Sequence, residues 1–151
     1  MKPVFRRAVT GDANALSDLS FRSKASNGYD ADFMEACRDE LAVTPETIAD
    51  GEIWISEAGG KPVGFFDIRL EKGVLEVYSL YVDPDVKRSG VGRILWAALE
   101  ERAGAMAAKA IELDADPAAV QFYTAMGCGV IGQAPSGSIP GRMLPRMRKW
   151  L

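Results

Sequence analysis

The segment Lys87-Arg88-Ser89-Gly90-Val91-Gly92 follows a long β-rich run within a few residues and opens an amphipathic helical stripe. Successive backbone N–H groups in such a Gly-rich turn, added to the orphan donors and positive dipole end of a helix, make a cradle for phosphate. Glycine lets the chain approach the anion closely, and Lys87, Arg88 and Arg93 add positive charge. The plainer reading is a solvated turn with a helix cap. Two familiar phosphate loops do not fit. A dinucleotide-binding fingerprint needs a third small residue where Leu95 stands, and a shorter gap from strand to first glycine. A P-loop needs Gly-Lys-Ser/Thr, whereas Gly60-Lys61 is followed by Pro62.

The chain has no histidine. Ser-His-Asp, Cys-His and His-ligated zinc chemistry each need an imidazole as base or ligand, so all three are excluded. An acid or base here must be a carboxylate, Tyr, Lys, Cys or water. Glu76 is an acidic residue inside an otherwise apolar strand. Partial burial there raises a carboxyl pKa toward neutrality and suits it to accept a proton; alternatively Glu76 faces solvent across an alternating strand. Cys37 and Cys128 are too far apart for a CxxC redox motif and too few for a thiolate metal site, so they read as packing residues.

The elements that must position these groups follow from pattern. Val4 to Ala8 reads as a strand, then Thr10-Gly-Asp12 caps a helix carrying Ala13, Leu16 and Ser20. A second helix covers Asp32 to Leu41, and Thr44-Pro45 starts a short third that Gly51 stops. Ile53 to Ala58 and Pro62 to Leu70 are strands joined by a Gly59-Gly60 hairpin. Val74 to Val82, rich in β-branched and aromatic residues, is the strongest strand, and Asp83-Pro84 ends it. Strict alternation along it puts Tyr78 on Glu76's face and Tyr81 on the other. Val91, Ile94, Leu95, Ala98 and Leu99 form the stripe of a core-facing helix running to about Ala108. Ala110 to Asp114 is a strand, and Asp116-Pro117 opens a last helix closed by Gly127. Cys128 to Gln133 and Met143 to Leu151 are closing strands, with Pro145 predicting an edge or a bulge for the second. The pattern is mixed α/β with no repeat and no dividing linker, so one domain over 1–151 is expected.

Three blocks in this order resemble the GNAT superfamily of acyl-CoA-dependent N-acetyltransferases. Lys87-x-x-Gly90-x-Gly92 is similar to the family's Gln/Arg-x-x-Gly-x-Gly/Ala pyrophosphate motif, with Lys in the first position. Leu80-Tyr81-Val82-Asp83-Pro84 resembles its fourth strand and exit. Asp116-Pro-Ala-Ala119-Val-Gln-Phe-Tyr123-x-x-Met-Gly127 resembles its Asn-x-x-Ala…Tyr-x-x-x-Gly helix, with Asp116 for Asn and Cys128 for the usual Phe. The resemblance implies a mixed, mostly antiparallel twisted sheet with flanking helices, in which a parallel central pair of strands splays apart to admit the pantetheine arm of acetyl-CoA. It implies that the backbone of Leu80, Tyr81 and Val82 bonds that arm, and that Lys87, Arg88, Ser89, Gly90, Val91, Gly92 and Arg93 hold the diphosphate. An N–H near a bulge in the fourth strand would face the thioester carbonyl.

The same resemblance assigns roles. Glu76 lies eleven positions before Lys87, the spacing at which histone-type members carry a glutamate base. An amine near pKa 10.4 is overwhelmingly protonated at pH 7, so a base or a water chain is required. Tyr123 resembles the tyrosine that serves many members as general acid for the departing thiolate. A thiol near 8.5 is more acidic than a phenol near 10, so full transfer in water is uphill by about 2 kcal/mol, and hydrogen bonding to developing charge is the milder role. A buried aromatic with a satisfied hydroxyl is the structural alternative. Arg22-Ser-Lys24-Ala-Ser-Asn27-Gly-Tyr29, with the later Ser136 to Pro145 stretch, resembles a bacterial subgroup carrying Arg-Ser-Lys-Ala-x-Trp-Gly-Tyr, with Asn27 in place of Trp. Arg22, Tyr29 and Tyr78 are the candidate acceptor-binding residues, and Arg142, Arg146 and Arg148 are candidates to rim the same cleft.

Composition sets the remaining expectations. With 18 basic and 21 acidic residues and a net charge of −3, there is no basic footprint for nucleic acid. The chain shows neither a membrane-length apolar run nor the apolar block of a signal peptide, which predicts a cytoplasmic protein. The expected activity is direct acetyl transfer from acetyl-CoA to a small-molecule or peptide amine, without metal, and the resemblance leans to a homodimer. A non-catalytic acyl-CoA-binding module and, more remotely, a nucleotide-binding α/β domain are the rival readings.

Overall fold

Short polar side chains cap some of the helix starts in the computed structural model, which describes residues 4–151, although Asp12 makes no cap bond to the helix it precedes. Strand β1 (Val4–Arg7) leads through a 3-10 turn into α1 (Ala13–Ala25), and the Asp12 carboxylate accepts from the Val9 amide at that turn. Helix α2 (Ala31–Leu41) is capped by Asp30, which accepts from the Phe33 amide, and α3 (Pro45–Asp50) by Thr44, which accepts from that of Thr47. Each such cap is worth roughly 1 kcal/mol.

Strands β2 (Glu52–Ala58), β3 (Lys61–Glu71) and β4 (Val74–Val82) form a meander, and α4 (Val91–Ala105) crosses over to β5 (Ala110–Asp114). A 3-10 turn at Pro117–Ala119 precedes α5 (Val120–Ala125), followed by β6 (Gly129–Pro135) and β7 (Met143–Trp150). Among the described residues, all seven strands belong to one sheet in the order β1-β2-β3-β4-β5-β7-β6. Every neighbouring pair is antiparallel except β4 and β5, which run parallel and are joined by α4.

The two faces of the sheet are covered by different helices. Val91, Leu95, Trp96, Leu99 and Ala103 of α4 pack on Phe66, Ile68, Leu75, Val77, Ile111, Leu113 and Met147. On the other face Leu16, Leu19 and Ile48 pack on Ile53, Ile55 and Phe65, while Met34, Cys37 and Leu41 of α2 gather Tyr81 and Ile139. Burying each of these large aliphatic or aromatic side chains contributes about 1.5–3 kcal/mol. Cys37 and Cys128 are buried free thiols. No helix among the described residues is long and apolar enough to cross a membrane.

Two expectations change. Pro145 predicted an edge or a bulge: β7 is not an edge, since it lies between β5 and β6 and β6 is the edge, but its pairing with β6 shifts register between Val130 and Gly132, next to the proline. The proline is tolerated because it sits beyond the last β5 rung, Asp114 opposite Arg146, with its carbonyl accepting from the Ala115 amide at 2.8 Å. The α4 helix stops at Ala105 rather than near Ala108, where Ala107 turns into the left-handed region at φ +56°.

Candidate active site

Parallel pairing of β4 with β5 covers only Val74 with Ala110, Leu75 with Ile111 and Glu76 with Glu112. Beyond Glu76 the strands part, so the β5-facing edge of Val77–Val82 carries no ladder to β5. A bulge at Tyr78 begins the divergence: Asp67 pairs with Ser79 and Ile68 with Val77, leaving Tyr78 as the extra residue. It also corrects the alternation argument. The shifted register returns Tyr81 to Glu76's side of the sheet, where its ring packs 5.9 Å from that of Phe65.

The parting strands open a cleft of about 730 Å³. Val77–Val82 form one wall, with Leu113, Asp114 and Asp116 opposite. The start of α4 supplies Lys87, Arg88, Gly90, Gly92 and Arg93, α5 supplies Gln121, Phe122 and Tyr123, and the end of α1 supplies Ser23 and Lys24. Gly90 caps α4 at φ +91°, left-handed backbone that favours glycine, and Arg88 holds φ +69°. The first intrahelical bond runs from the Ile94 amide to the Gly90 carbonyl. The amides of Val91, Gly92 and Arg93 in the first turn therefore have no intrahelical partner and point out of the helix start. A Cβ at Gly92 would lie 3.1 Å from the Phe122 ring, so glycine is what lets α4 and α5 close on each other here.

Not every residue of the cradle offers its side chain. Val91 is buried in the core beneath α4 and can contribute only backbone. The Ser89 hydroxyl donates to the Val86 carbonyl, and the Lys87 ammonium donates to the Ser26 hydroxyl. Backbone donors, the dipole of α4 and the guanidinium groups of Arg88 and Arg93 at the mouth nevertheless suit a diphosphate, and the narrow unpaired edge of β4 suits an amide-bearing arm.

Tyr123 is buried on the cleft wall, its ring edge-on to Trp96 at 5.8 Å and to Phe122 at 5.3 Å. Burial, reinforced by Cys128 and Asp116, pushes its phenol above the ordinary value, so it stays protonated. Glu76 occupies the last paired rung and is not among the residues lining the cleft. Its Oε1 accepts from the Arg146 guanidinium at 2.6 Å, while Oε2 is buried without a hydrogen bond among the described residues. Burial raises the Glu76 pKa above the usual carboxylate value and Arg146 opposes it. Tyr78 lines the cleft, half-exposed; its hydroxyl donates to Glu71, and the Arg69 guanidinium lies 4.6 Å over its ring.

The segment after α1 folds otherwise than a free acceptor pocket. Arg22 donates to both Asp83 oxygens at 3.0 and 3.2 Å and to Asp18 at 2.7 Å, bracing the exit of β4 outside the cleft. The Tyr29 hydroxyl donates to Asp116 at 2.9 Å and accepts from Arg142 at 2.8 Å, while Lys24 reaches Asp116 at 3.0 Å. Burial works against the charge on Asp116, but the Ala118 amide, Lys24 and Tyr29 outweigh it and hold the carboxyl below its ordinary value. Arg142 also stacks over Tyr29 and Phe33, and the loop before it docks on α2 through Ile139 and a Ser138 hydroxyl bond to Glu40. Arg146 and Arg148 join a carboxylate network at the foot of the divergence instead of rimming the cleft.

One residue escaped the sequence reading. Asp67 is 4% exposed on β3, directly opposite Ser79, and burial pushes its carboxyl up to about 6 against the pull of Arg69. The signal was the one that singled out Glu76, an acid inside an apolar run.

Solved structures share this architecture over the whole chain. A GCN5-related N-acetyltransferase from Rhodopseudomonas palustris is 27% identical, with 100% of this chain and 97% of that chain covered and a TM-score of 0.83. The PaiA N-acetyltransferase from Thermoplasma acidophilum, solved in complex with coenzyme A, is 17% identical, with 100% of both chains covered and a TM-score of 0.84. The ribosomal-protein-S18-alanine N-acetyltransferase from Escherichia coli is 17% identical, with 98% and 93% covered and a TM-score of 0.73. No curated protein sequence matches. The model of the acetyltransferase (GNAT) family matches residues 19–128, and with the split strand pair and the glycine-opened helix at its mouth, the chain belongs to that family.

Proposed function

We propose that the protein, as one N-acetyltransferase domain, moves the acetyl group of acetyl-CoA directly onto a primary amine. The observation that carries this reading is the parting of β4 and β5 after Glu76, with the donor-rich start of α4 at its mouth. When bound, acetyl-CoA supplies an activated acyl thioester. The amides of Val91, Gly92 and Arg93 with Arg88 and Arg93 hold its diphosphate, and the free edge of Leu80, Tyr81 and Val82 bonds its pantetheine arm. Tyr123, protonated and fixed between Trp96 and Phe122, donates a hydrogen bond where negative charge grows on the departing sulfur. Glu76, outside the cleft lining with one buried oxygen uncommitted, takes the proton from the amine through water. Neither cysteine has an imidazole to activate it, and burial pushes Cys128 up to about 11, which disfavours a covalent acyl-enzyme.

The acceptor reaches the cleft beside Tyr78 and Ser79, which line it, whereas Tyr29 and Arg142 are bonded to each other outside the lining. The firm pairing of Glu76 with Arg146 favours one second reading, an acyl-CoA-binding module without turnover. Calorimetric titration with acetyl-CoA, followed by thiol release with a panel of amines, decides. Saturable binding with amine-dependent release supports the enzyme. Binding without release from any amine supports the module, and no binding overturns both.

A further inference from the structure

We infer that Arg146 is a positioning residue for Glu76: it locks one carboxylate oxygen and leaves the other as the single proton acceptor of the site. The inference rests on the reading of Glu76 as the base. Arg146 stands on β7, two strands away, and reaches across β5 on the face it shares with Glu76. One of its terminal nitrogens donates to Glu76 Oε1 at 2.6 Å and Glu112 Oε1 at 3.1 Å, and the other to Asp114 Oδ1 at 3.0 Å. Glu112 is held independently by Arg148 at 2.9 Å, so the fork of Arg146 is not needed to neutralise it. The three carboxylates bonded to Arg146 flank the rung where β4 and β5 part, and Asp114 lines the cleft. A planar guanidinium can address three carboxylates in fixed directions, which an ammonium on a flexible stem cannot.

The consequence for Glu76 is geometric and electrostatic. Oε1 is consumed, and Oε2 is buried and unbonded among the described residues, so the rotamer offers a proton one atom only. The groups facing Glu76 are Asp67, Arg69 and Glu71 of β3, Tyr78 of β4, Glu112 and Asp114 of β5, and Arg146 and Arg148 of β7. Burial, Asp114 and Glu71 favour the protonated acid, while Arg146 favours the carboxylate. Burial works against the charge on Arg146, but its acidic partners Glu76 and Asp114 outweigh it and keep the guanidinium charged at every working pH, so it acts as a fixed charge while the acids around it titrate. Without Arg146 the base would be protonated over more of the neutral range and free to rotate.

A mere brace between strands would shift the Glu76 titration without moving the pH dependence of turnover, so the two measurements together separate the roles. In the full chain labelled with 13C at the glutamate carboxyls, the Glu76 resonance is identified by its loss in Glu76→Gln. Arg146→Met and Arg146→Gln are both expected to move its midpoint up by about one pH unit, and Arg146→Lys to keep most of the wild-type value. Arg146→Gln retains the chain's shape and a donor, so the comparison survives if Arg146→Met folds poorly. With the first amine that the panel identifies, the acidic limb of kcat/KM should move by the same shift while acetyl-CoA affinity stays constant. An unmoved Glu76 midpoint in folded Arg146→Gln overturns the inference. Full activity in Glu76→Gln instead overturns the reading of Glu76 as the base on which it rests, and with it the inference.

Discussion

The hydroxyl of Tyr29 donates to the Asp116 carboxylate at 2.9 Å and thereby ties the segment after α1 to the residue that caps the turn before α5. Asp116 also accepts from the Ala118 amide and from Lys24, so one side chain serves as cap, ion-pair partner and anchor. Asp116→Ala removes all three and strands a largely buried Lys24. The expected loss is about 2–4 kcal/mol, read as a lower urea midpoint at unchanged slope. Asp116→Asn keeps the cap and an acceptor for Tyr29 and should lose about half as much. Equal stability of the Ala variant would show that the cluster is only a surface contact.

Tyr123→Phe keeps the ring contacts with Trp96 and Phe122 and deletes only the buried hydroxyl. Turnover is expected to fall on the order of 10²-fold with acetyl-CoA affinity preserved. Stability should change by less than about 1 kcal/mol, since that hydroxyl makes no hydrogen bond among the described residues. Steady-state kinetics beside a thermal melt checks both, and undiminished kcat would make the tyrosine a packing residue.

The two glycines of the cradle should fail differently. A Cβ at Gly90 meets nothing within 4 Å, so Gly90→Ala suffers only its left-handed backbone, at a cost of about 1–2 kcal/mol, with the opening of α4 disturbed. Gly92→Asp crowds Phe122 and sets a negative charge among the free amides. Its affinity for acetyl-CoA, measured by calorimetry, is expected to drop by more than about tenfold. Wild-type affinity in a folded Gly92→Asp would place the diphosphate elsewhere.

Asp67 gives stability a pH signature. Its folded pKa of about 6 stands above the ordinary 3.8, so the native state holds the proton more tightly than the unfolded chain does. The resulting stabilisation is complete below pH 4 and is lost as pH rises through 6. Asp67→Asn removes this dependence, and its stability relative to wild type should improve by about 1–3 kcal/mol from pH 4 to pH 7. Urea melts at the two pH values test it, and a constant difference would mean that Arg69 compensates the charge fully.

Much of the fold was legible because caps and alternation are local. Thr44 and Asp116 cap where their types predict, and Val74–Val82 is the strand that its β-branched residues announce. The glycine-opened start of α4 was legible for the same reason: Gly90 and Gly92 lie within one turn of each other. What stayed hidden depends on pairing. The bulge at Tyr78 is set by β3 opposite it, so strict alternation misplaced Tyr81. Arg22 looked like an acceptor ligand until Asp83, sixty-one residues away, claimed its guanidinium. Arg146 could not be linked to Glu76 without knowing that β7 enters the sheet beside β5.

That late insertion of β7 bears on how the chain acquires its shape on the ribosome. Both strands that flank it, β5 and β6, are synthesised first and must wait, hydrogen-bond edges bare, for the segment that separates them. Met147, fully enclosed against Leu113 and the α4 side, arrives only then. Nascent molecules lacking the stretch from Met143 onward therefore carry an unsealed apolar flank and a lone strand prone to pairing with a stranger.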